Sequence, residues 1–370
     1  MISYIIPTRD RPQRLRDTLA RLDALGPHPD AAELIVIDND SRERLVLPPS
    51  LPNGLRVREI ALAENLAAAS RNLAAQHANP ANPWLVMLDD DSFPLDLRFL
   101  SLLEHQPIDV AALAADIALP SGLRESGGLP EVFVGCGVAI RRDAFLRLGG
   151  YDPAFGFYAE EYDLAARLLL AGFRVAFDPR FRIRHDKSTV NRSMNLILAR
   201  LVRNSSFVTL RYAPRDLRAA ELRAARRRYR AIAEKEHALH GFARGLRDLR
   251  AARRAQPHTP LPPHLWDRFT GLAHARLALA AAHAAKPFHS AAIVDHGKNA
   301  HVVAHALHEL GVRIIGDGED ADALVIGTMS PGPMLDALQR RSRWLGPHAP
   351  RVIAPWAIPP VRPAPRRIAA

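Results

Sequence analysis

The first half of the chain alternates short apolar runs with stretches of helical periodicity. The apolar runs of strand length are 3–7, 33–37, 55–60 and 84–88. Leucines recur at helical spacing between the first two runs, and Gly26 with Pro27 ends that predicted helix. Alternating strand and helix units imply a mostly parallel sheet with flanking helices. The pattern therefore predicts the α/β fold class.

The run 84–88 leads directly into three consecutive carboxylates, Asp89, Asp90 and Asp91. A continuous apolar run is typical of a buried parallel strand, and open α/β sheets bind ligands outside the carboxyl ends of their strands. Adjacent aspartates repel one another unless a cation joins them, and Mg²⁺ is typically held by carboxylates together with substrate phosphates. The stretch indicates a metal–diphosphate site, with a solvated acidic turn as the alternative.

Polar residues end two further strands of the predicted sheet. Thr8 follows the first apolar run, and Asp38 with Asn39 follows the second. Because parallel strands place their carboxyl ends at one edge, we expect these residues and the three aspartates to share one cleft.

The next segments predict a strand over 133–140 with two internal glycines and a helix that begins near Glu160 and Glu161. Glycine within a strand indicates a bulge or a close approach to a ligand. Acidic residues in a first helical turn also have an ordinary explanation, since they complement the helix dipole. A further strand covers 174–177 and leads to 181–185.

The second half divides into a helical segment and a smaller α/β unit. We predict domain boundaries at 1–205, 206–286, 287–345 and 346–370, the last a basic, proline-rich tail. Residues 215–254 are rich in arginine and alanine, which indicates either a solvated helix or an electropositive face for an anionic membrane. One helix is predicted over 265–285, and strands over 311–317 and 323–327 help to form a Rossmann-like module. Its first turn has the single glycine Gly297, so we predict a packing role and no NAD.

Composition narrows the class of protein. The formal net charge of +11 favours anionic partners, and the single cysteine, Cys136, excludes an intramolecular disulfide. No apolar run reaches the length of about 20 residues that spans a bilayer. These features predict a cytoplasmic bacterial protein, with peripheral contact at the inner face of the membrane left open. The arginines lack an aromatic stacking platform, so nucleic acid is not expected as a partner.

Residues 3–190 resemble an inverting family 2 glycosyltransferase with the GT-A fold. The motifs that carry the resemblance are IIPTR at 5–9, LIVIDNDS at 34–41, Asn65 with RN at 71–72, LDDD at 88–91, GGYD at 149–152 and EEYDL at 160–164. Their order and spacing agree over half the chain, and the C-terminal part is not covered.

The resemblance implies a role for each matched residue. The residues that would bind the nucleotide-sugar are Thr8, Arg9, Asp38, Asn39, Arg71, Asp89 and Asp90. A Mg²⁺ or Mn²⁺ cofactor would lie on Asp91, Asp89 and His185, although a lone histidine after a strand is more often structural. The inverting reaction needs one base, and the alignment assigns it to Glu161, with Glu160 as the second candidate. Asp163 matches a position that supports the helix.

The resemblance implies sugar transfer from a UDP-, GDP- or dTDP-sugar to an acceptor hydroxyl, in a lipid-linked glycan, a polysaccharide or another glycoconjugate. Two alternatives stay open at this point. A non-catalytic sugar-nucleotide sensor would keep the same motifs. A nucleotidyltransferase would also use a parallel sheet and an acidic metal site, but the loop after the first strand lacks its Gly/Lys-rich phosphate-binding sequence.

Overall fold

The computed structural model of the protein describes residues 1–187, 193–316, 320–342 and 350–358. An N-terminal sheet of eight strands and a C-terminal sheet of four strands are joined by a helical segment. Of the predicted features, Asp317 and most of the proline-rich tail lie outside the described residues.

The N-terminal sheet has the strand order β3-β2-β1-β4-β7-β6-β8-β5. Its strands are β1 (Ile2–Thr8), β2 (Glu33–Asp38), β3 (Arg56–Ala61), β4 (Trp84–Met87), β5 (Ser92–Pro94), β6 (Val110–Ala118), β7 (Val138–Arg141) and β8 (Arg174–His185). The first four strands are parallel to one another, as the sequence predicts. Strand β7 pairs antiparallel with β4 and β6, and β5 pairs antiparallel with β8, so the second half of the sheet is mixed.

Helices cover both faces of this sheet. They are α1 (Pro12–Asp23), α2 (Ser70–His77), α3 (Phe99–Glu104), α4 (Arg142–Arg147) and α5 (Glu160–Leu170). Side chains of β1 alternate between two buried apolar clusters, with Tyr4 and Ile6 in one and Ile5 in the other. This alternation follows from the two-residue period of a strand. Because both faces of β1 are packed, the position of its C-terminal end is fixed between the two layers.

Two predictions about strands in this part need correction. Only the end of the predicted strand 133–140 is a strand, because 133–137 forms a loop ahead of β7. Gly137 permits the close packing there, since a Cβ would lie 2.7 Å from Cδ1 of Ile117. Strand β6 was not predicted, although it lies at the centre of the second half of the sheet.

The connecting segment is helical. Its helices are α6 (Met194–Tyr212), α7 (Arg218–Lys235), α8 (Leu239–Ala252), α9 (Pro263–Thr270) and α10 (Leu272–Ala285). The single helix predicted over 265–285 is wrong, because Gly271 adopts a left-handed φ of 90° and separates α9 from α10. Helix α7 buries only Ala225 and Ala233, so its arginines lie largely at the surface.

The C-terminal sheet is entirely parallel, with the order β10-β9-β11-β12. Its strands are β9 (Ser290–Val294), β10 (Arg313–Ile315), β11 (Ala323–Ile326) and β12 (Arg351–Ile353), with helices α11 (Ala300–Glu309) and α12 (Pro331–Ser342). This is the Rossmann-like arrangement that the sequence predicts. Strand β12 and the buried Trp356 belong to the stretch assigned to a tail, so the sheet continues into that stretch.

The two sheets pack against a shared apolar cluster that contains Phe133, Phe269 and Met329. An ion pair of 2.7 Å between Arg124 and Asp336 joins the N-terminal part to α12. In the part of the chain that the structure describes, no helix is long and apolar enough to cross a membrane.

Candidate active site

The carboxyl ends of β1, β2 and β4 meet at one edge, as the sequence predicts. Thr8 and Asp38 are register partners, and the main-chain N–H of Asn39 donates to the carbonyl of Thr8 at 2.9 Å. The Thr8 hydroxyl in turn donates to Oδ2 of Asp90 at 2.8 Å. All four side chains are buried, so the edge of the sheet is a rigid polar cluster.

The predicted nucleotide-binding residues differ in how freely they can contact a ligand. Oδ1 of Asp38 accepts the Ser41 N–H at 2.9 Å. Asn39 uses both ends of its amide on the neighbouring turn, accepting from Leu66 N–H at 2.8 Å and donating to the Ala67 carbonyl at 3.1 Å. Asn39 therefore shapes the cleft wall through the turn it holds.

Arg9 lies away from the three aspartates, because its guanidinium donates to the side chain of Asp40 at 3.2 Å. The cation on the acidic cluster is Arg11, which the sequence interpretation missed. Its two terminal nitrogens lie 2.6 Å from Oδ1 of Asp90 and 2.6 Å from Oδ2 of Asp91. Arginine presents such a fork to paired carboxylates, and its place in the loop after β1 was the available signal.

The neighbouring aspartates Asp90 and Asp91 have opposite electrostatic environments. Burial raises the pKa of Asp90 to about 7, which the Arg11 charge only partly offsets. Burial also acts on Asp91, but hydrogen bonds from His185 and Arg11 outweigh it and lower the pKa of Asp91 to about 2. Asp91 is therefore negatively charged at neutral pH, while the pKa of Asp90 lies close to neutral pH.

His185 links this cluster to the end of β8. Its Nε2 lies 3.3 Å from Oδ1 of Asp91, and its Nδ1 lies 3.1 Å from Oε2 of Glu125. Burial disfavours the charged imidazole, yet hydrogen bonds with Asp91, Cys136 and Glu125 raise the pKa of His185 to about 12. Cys136 is buried and also contacts this ring, with its Sγ 3.5 Å from Nδ1.

These side chains could hold a divalent cation. Ligand atoms of Asp89, Cys136 and His185 all lie within 4.8 Å of one another. Carboxylate and imidazole donors suit Mn²⁺, and carboxylates alone suit Mg²⁺. Burial raises the pKa of the Cys136 thiol, which makes it a poor ligand. Because a protonated imidazole cannot coordinate a metal, His185 would have to release a proton, and the carboxylates fit the role better.

Arg71 places a second cation beside the acidic cluster. Its Nη2 contacts Oδ1 of Asp89 at 2.5 Å and the Leu88 carbonyl at 3.0 Å. The Arg71 side chain is 6% exposed and that of Asp89 is 39% exposed, so the carboxylate faces the cleft while the guanidinium lies behind it. Nε of Arg71 is buried without a hydrogen-bond partner among the described residues.

Glu160 and Glu161 open α5 close to this cation. The backbone reaches the helix through Tyr158 and Ala159, both at positive φ, 74° and 67°. Such left-handed conformations are costly for non-glycine residues and often mark functional sites. The turn directs Glu160 near Arg71 and Asp89, whose charges act on its carboxyl group.

Glu160 and Glu161 each bury a carboxylate oxygen, which is unusual for a group that carries a charge. Oε2 of Glu160 and Oε2 of Glu161 are both buried with no hydrogen-bond partner in the described part of the chain. Burial raises the pKa of each, and the charge of Glu161 raises that of Glu160 further. Buried carboxylates of raised pKa are typical of general acid–base groups.

Asp163 lies in the first turn of α5, and its hydrogen bonds hold the part of the helix that carries the two glutamates. Its Oδ1 accepts from Arg211 at 2.8 Å and from the Tyr212 hydroxyl at 2.7 Å, and its Oδ2 accepts from Arg167 at 2.6 Å. The side chain is fully buried. The network ties α5 to α6 and fits the supporting role predicted for Asp163.

A family sequence model described as Glycosyl transferase family 2 matches residues 3–121. A curated relative, the O-antigen biosynthesis protein RfbC of Myxococcus xanthus, is 26% identical over 231 residues, which is 52% of this chain. The aligned part is 18% of the relative, so the chain spans only a small part of that protein's length.

Two solved structures illustrate the similarity of shape. GalNAc-T7 with UDP, GalNAc and Mn²⁺ has a TM-score of 0.49 at 16% identity, covering 71% of this chain and 58% of that chain. Residues 1–349 of S. aureus TarS in complex with UDP-GlcNAc have a TM-score of 0.48 at 16% identity, covering 77% of this chain and 88% of that chain. Residues 3–121, which include strands β1 to β6 and the polar edge of the sheet, therefore match glycosyltransferase family 2.

Proposed function

We propose that the protein is a metal-dependent inverting glycosyltransferase, which moves a sugar from a nucleotide-diphospho-sugar to an acceptor hydroxyl. The observation that carries this proposal is the position of Asp89. It contacts Arg71 on one side, and its charge acts on Glu160 on the other. The acidic edge of the sheet and the two buried glutamates therefore belong to a single cleft.

The donor binds along the carboxyl edge of β1, β2 and β4. Asp38 and Thr8 are placed for the nucleoside, because Asp38 lies at the end of β2 and keeps acceptor capacity beyond its bond to Ser41. Arg71 and Arg11 supply positive charge for the diphosphate. Asp91 and Asp89 would hold Mg²⁺ or Mn²⁺, with His185 beside them. Such an ion, when bound, stabilises the negative charge that develops on the leaving diphosphate.

Glu161 acts as the base on the acceptor side. It takes the proton from the acceptor hydroxyl as the oxygen attacks the anomeric carbon, and the nucleoside diphosphate leaves from the opposite face. A pKa raised by burial strengthens a carboxylate as a proton acceptor, provided that it is ionised when the acceptor binds. Glu160, packed toward Arg71 and Asp89, is the second candidate for this role.

The acceptor belongs to bacterial glycan synthesis. The relative from Myxococcus xanthus is named an O-antigen biosynthesis protein, which supports a glycan acceptor. The net charge of +11 and the exposed arginines of α7 favour an anionic carrier and contact with the membrane surface.

A panel of UDP-, GDP- and dTDP-sugars tests the proposal. Binding is measured by calorimetry, and hydrolysis or transfer is measured by release of the nucleoside diphosphate. We expect one nucleotide series to bind and turn over slowly without an acceptor. Binding without any turnover, even with a range of glycan acceptors, would favour the sensor alternative. Formation of a nucleotide-sugar from a nucleoside triphosphate and a sugar phosphate would favour the nucleotidyltransferase.

A further inference from the structure

Loops at the carboxyl edge of the C-terminal sheet contact both the N-terminal domain and helix α9. In the loop after β11, the Ser330 hydroxyl donates to the Gly128 carbonyl at 3.2 Å. In the turn between β9 and α11, the Asn299 side chain donates to the Thr270 carbonyl at 3.2 Å. Loops at this edge of a parallel sheet are where α/β units present ligand-binding groups. In this protein the turn between β9 and α11, at that edge, carries Lys298.

Lys298 extends from that turn toward the two glutamates. Its Nζ lies 4.6 Å from the ring centroid of Tyr162, the residue after Glu161. Burial raises the pKa of Glu161, and the positive charge of Lys298 opposes that rise. A side chain of the C-terminal module therefore acts electrostatically on the proposed base.

A second cation, Arg228, lies close enough for its charge to act on the same groups. Arg228 of α7 packs over the ring of Tyr229 at 5.8 Å, and its charge acts on both Lys298 and Tyr162. Neither Lys298 nor Arg228 forms an ion pair with a carboxylate within the described ranges of the chain.

The same place holds polar groups that are buried and unsatisfied. The Tyr162 hydroxyl and Oε2 of Glu161 have no hydrogen-bond partner among residues that the structure describes. Buried polar atoms are nearly always satisfied by protein, water or a ligand. The cations of Lys298 and Arg228 therefore lie near a hydroxyl and a carboxylate oxygen that have hydrogen-bonding capacity left for a ligand.

We propose that Lys298 and Arg228 bind an anionic group, a phosphate or a carboxylate, on the acceptor, and thereby hold the acceptor hydroxyl at Glu161. The identification of the ligand as the acceptor rests on the proposed function. The site itself rests on the unpaired groups of α5, α7 and the β9–α11 turn. The C-terminal module thus contributes an acceptor-positioning residue, beyond the packing role predicted from the sequence.

The test compares three probes that share a sugar ring: glucose 1-phosphate, glucuronate and methyl glucoside. Their binding to the full chain is measured by calorimetry or ligand-observed NMR. We expect an anionic probe to bind at least about tenfold more tightly than the neutral one, because charge-assisted hydrogen bonds are stronger than neutral ones. The comparison of phosphate with carboxylate identifies the anion. Equal binding of all three probes, or no binding of either anion, would overturn the proposal.

Lys298→Ala and Arg228→Ala should each weaken the binding of the anionic probe by about fivefold or more and leave the binding of the neutral probe unchanged. Lys298→Arg should restore binding, which separates lost charge from a disturbed fold. The matched control is Lys286→Ala, an exposed lysine at the end of α10. An unchanged affinity of Lys298→Ala for both anions would place the anion elsewhere and contradict the proposal.

Nucleoside diphosphate binding is measured in parallel on the same variants. We expect it to be unchanged, since Lys298 lies on the side of Glu161 and not among the residues proposed for the donor. Anion binding that depends on Lys298, in a protein that binds no sugar nucleotide, would reject the proposed function and leave the anion site standing. Turnover of the sugar nucleotide without any binding of the anionic probes would support the proposed function and reject the anion site.

Discussion

The hydroxyl of Thr8 donates a hydrogen bond of 2.8 Å to Oδ2 of Asp90, joining the end of the first strand to the acidic loop 82 positions later. This contact fixes the loop of aspartates against the part of the edge proposed to hold the nucleoside. Thr18 of α1 adds a second tie, since its hydroxyl donates to the Asp90 carbonyl at 2.8 Å. Asp90 therefore anchors the loop, while Asp89 is 39% exposed beside Arg71 and Asp91 is buried between Arg11 and His185.

Thr8→Val tests that anchor. Valine keeps the shape of threonine and removes the donor, so we expect the free energy of unfolding to fall by about 1 kcal/mol, the typical net value of a hydrogen bond. Urea denaturation measures the change. Thr259→Val is the control, because Thr259 is exposed, and it should shift stability by less than about 0.5 kcal/mol. Equal effects at both sites would show that the Thr8–Asp90 contact does not anchor the loop.

Asp163→Asn should destabilise the protein without removing a reacting group. The substitution removes the carboxylate that Arg167 and the 6%-exposed Arg211 share, and it leaves Asp152 as the remaining counter-charge of Arg211. Breaking a buried ion pair typically costs about 3 kcal/mol or more. Asp143→Asn is the matched control, since Asp143 pairs with Arg147 at 4.0 Å on the surface. A loss below about 1 kcal/mol at Asp163 would contradict the supporting role of this network.

Glu161→Gln should remove transfer while leaving donor binding intact. An amide of the same size cannot take the proton from the acceptor hydroxyl, and a positioned base typically contributes 10²–10⁴-fold. The measurement is the turnover rate with a saturating sugar nucleotide, together with its dissociation constant. Glu160→Gln provides the comparison. If Glu160→Gln loses the larger share of activity, the base is Glu160 and the assignment from the family alignment is wrong.

The raised pKa values of Glu160 and Glu161 predict a dependence of stability on pH. The folded protein retains protons that the unfolded chain releases above the ordinary glutamate pKa of about 4.3, so these groups make folding less favourable as pH rises from there. The double variant Glu160→Gln with Glu161→Gln should therefore gain stability relative to the parent between pH 5 and 8. Urea unfolding at several pH values measures this difference. A difference that is independent of pH would show that the pKa values are not raised.

The sequence predicts the parallel half of the sheet well because its signals are local. The buried runs of β1, β2 and β4 are bounded by polar residues, and the positions of Thr8, Asp38 and the aspartates follow from the parallel arrangement. Strand β6 escaped prediction because five of its nine residues are alanine, which has low strand propensity, and only its place inside the sheet makes it a strand.

Other features depend on contacts that a sequence pattern does not record. Arg9 and Arg11 lie two positions apart in the same loop, and only the folded loop shows that Arg11 reaches the aspartates. Lys298 lies 137 positions after Glu161, and its role follows from the packing of one sheet on the other. Gly271, by contrast, was a visible signal for a helix end, and the apolar periodicity on both sides of it obscured that signal.

The most direct test of the central claim is turnover of the sugar nucleotide with and without EDTA, followed by addition of Mn²⁺ or Mg²⁺. We expect release of the nucleoside diphosphate to stop on chelation and to return with the metal. Asp91→Asn should bind the metal more weakly and shift the restoring concentration upward, because the substitution removes a carboxylate whose pKa is about 2. Full turnover in EDTA, unchanged in Asp91→Asn, would contradict a metal–diphosphate site at Asp89 to Asp91.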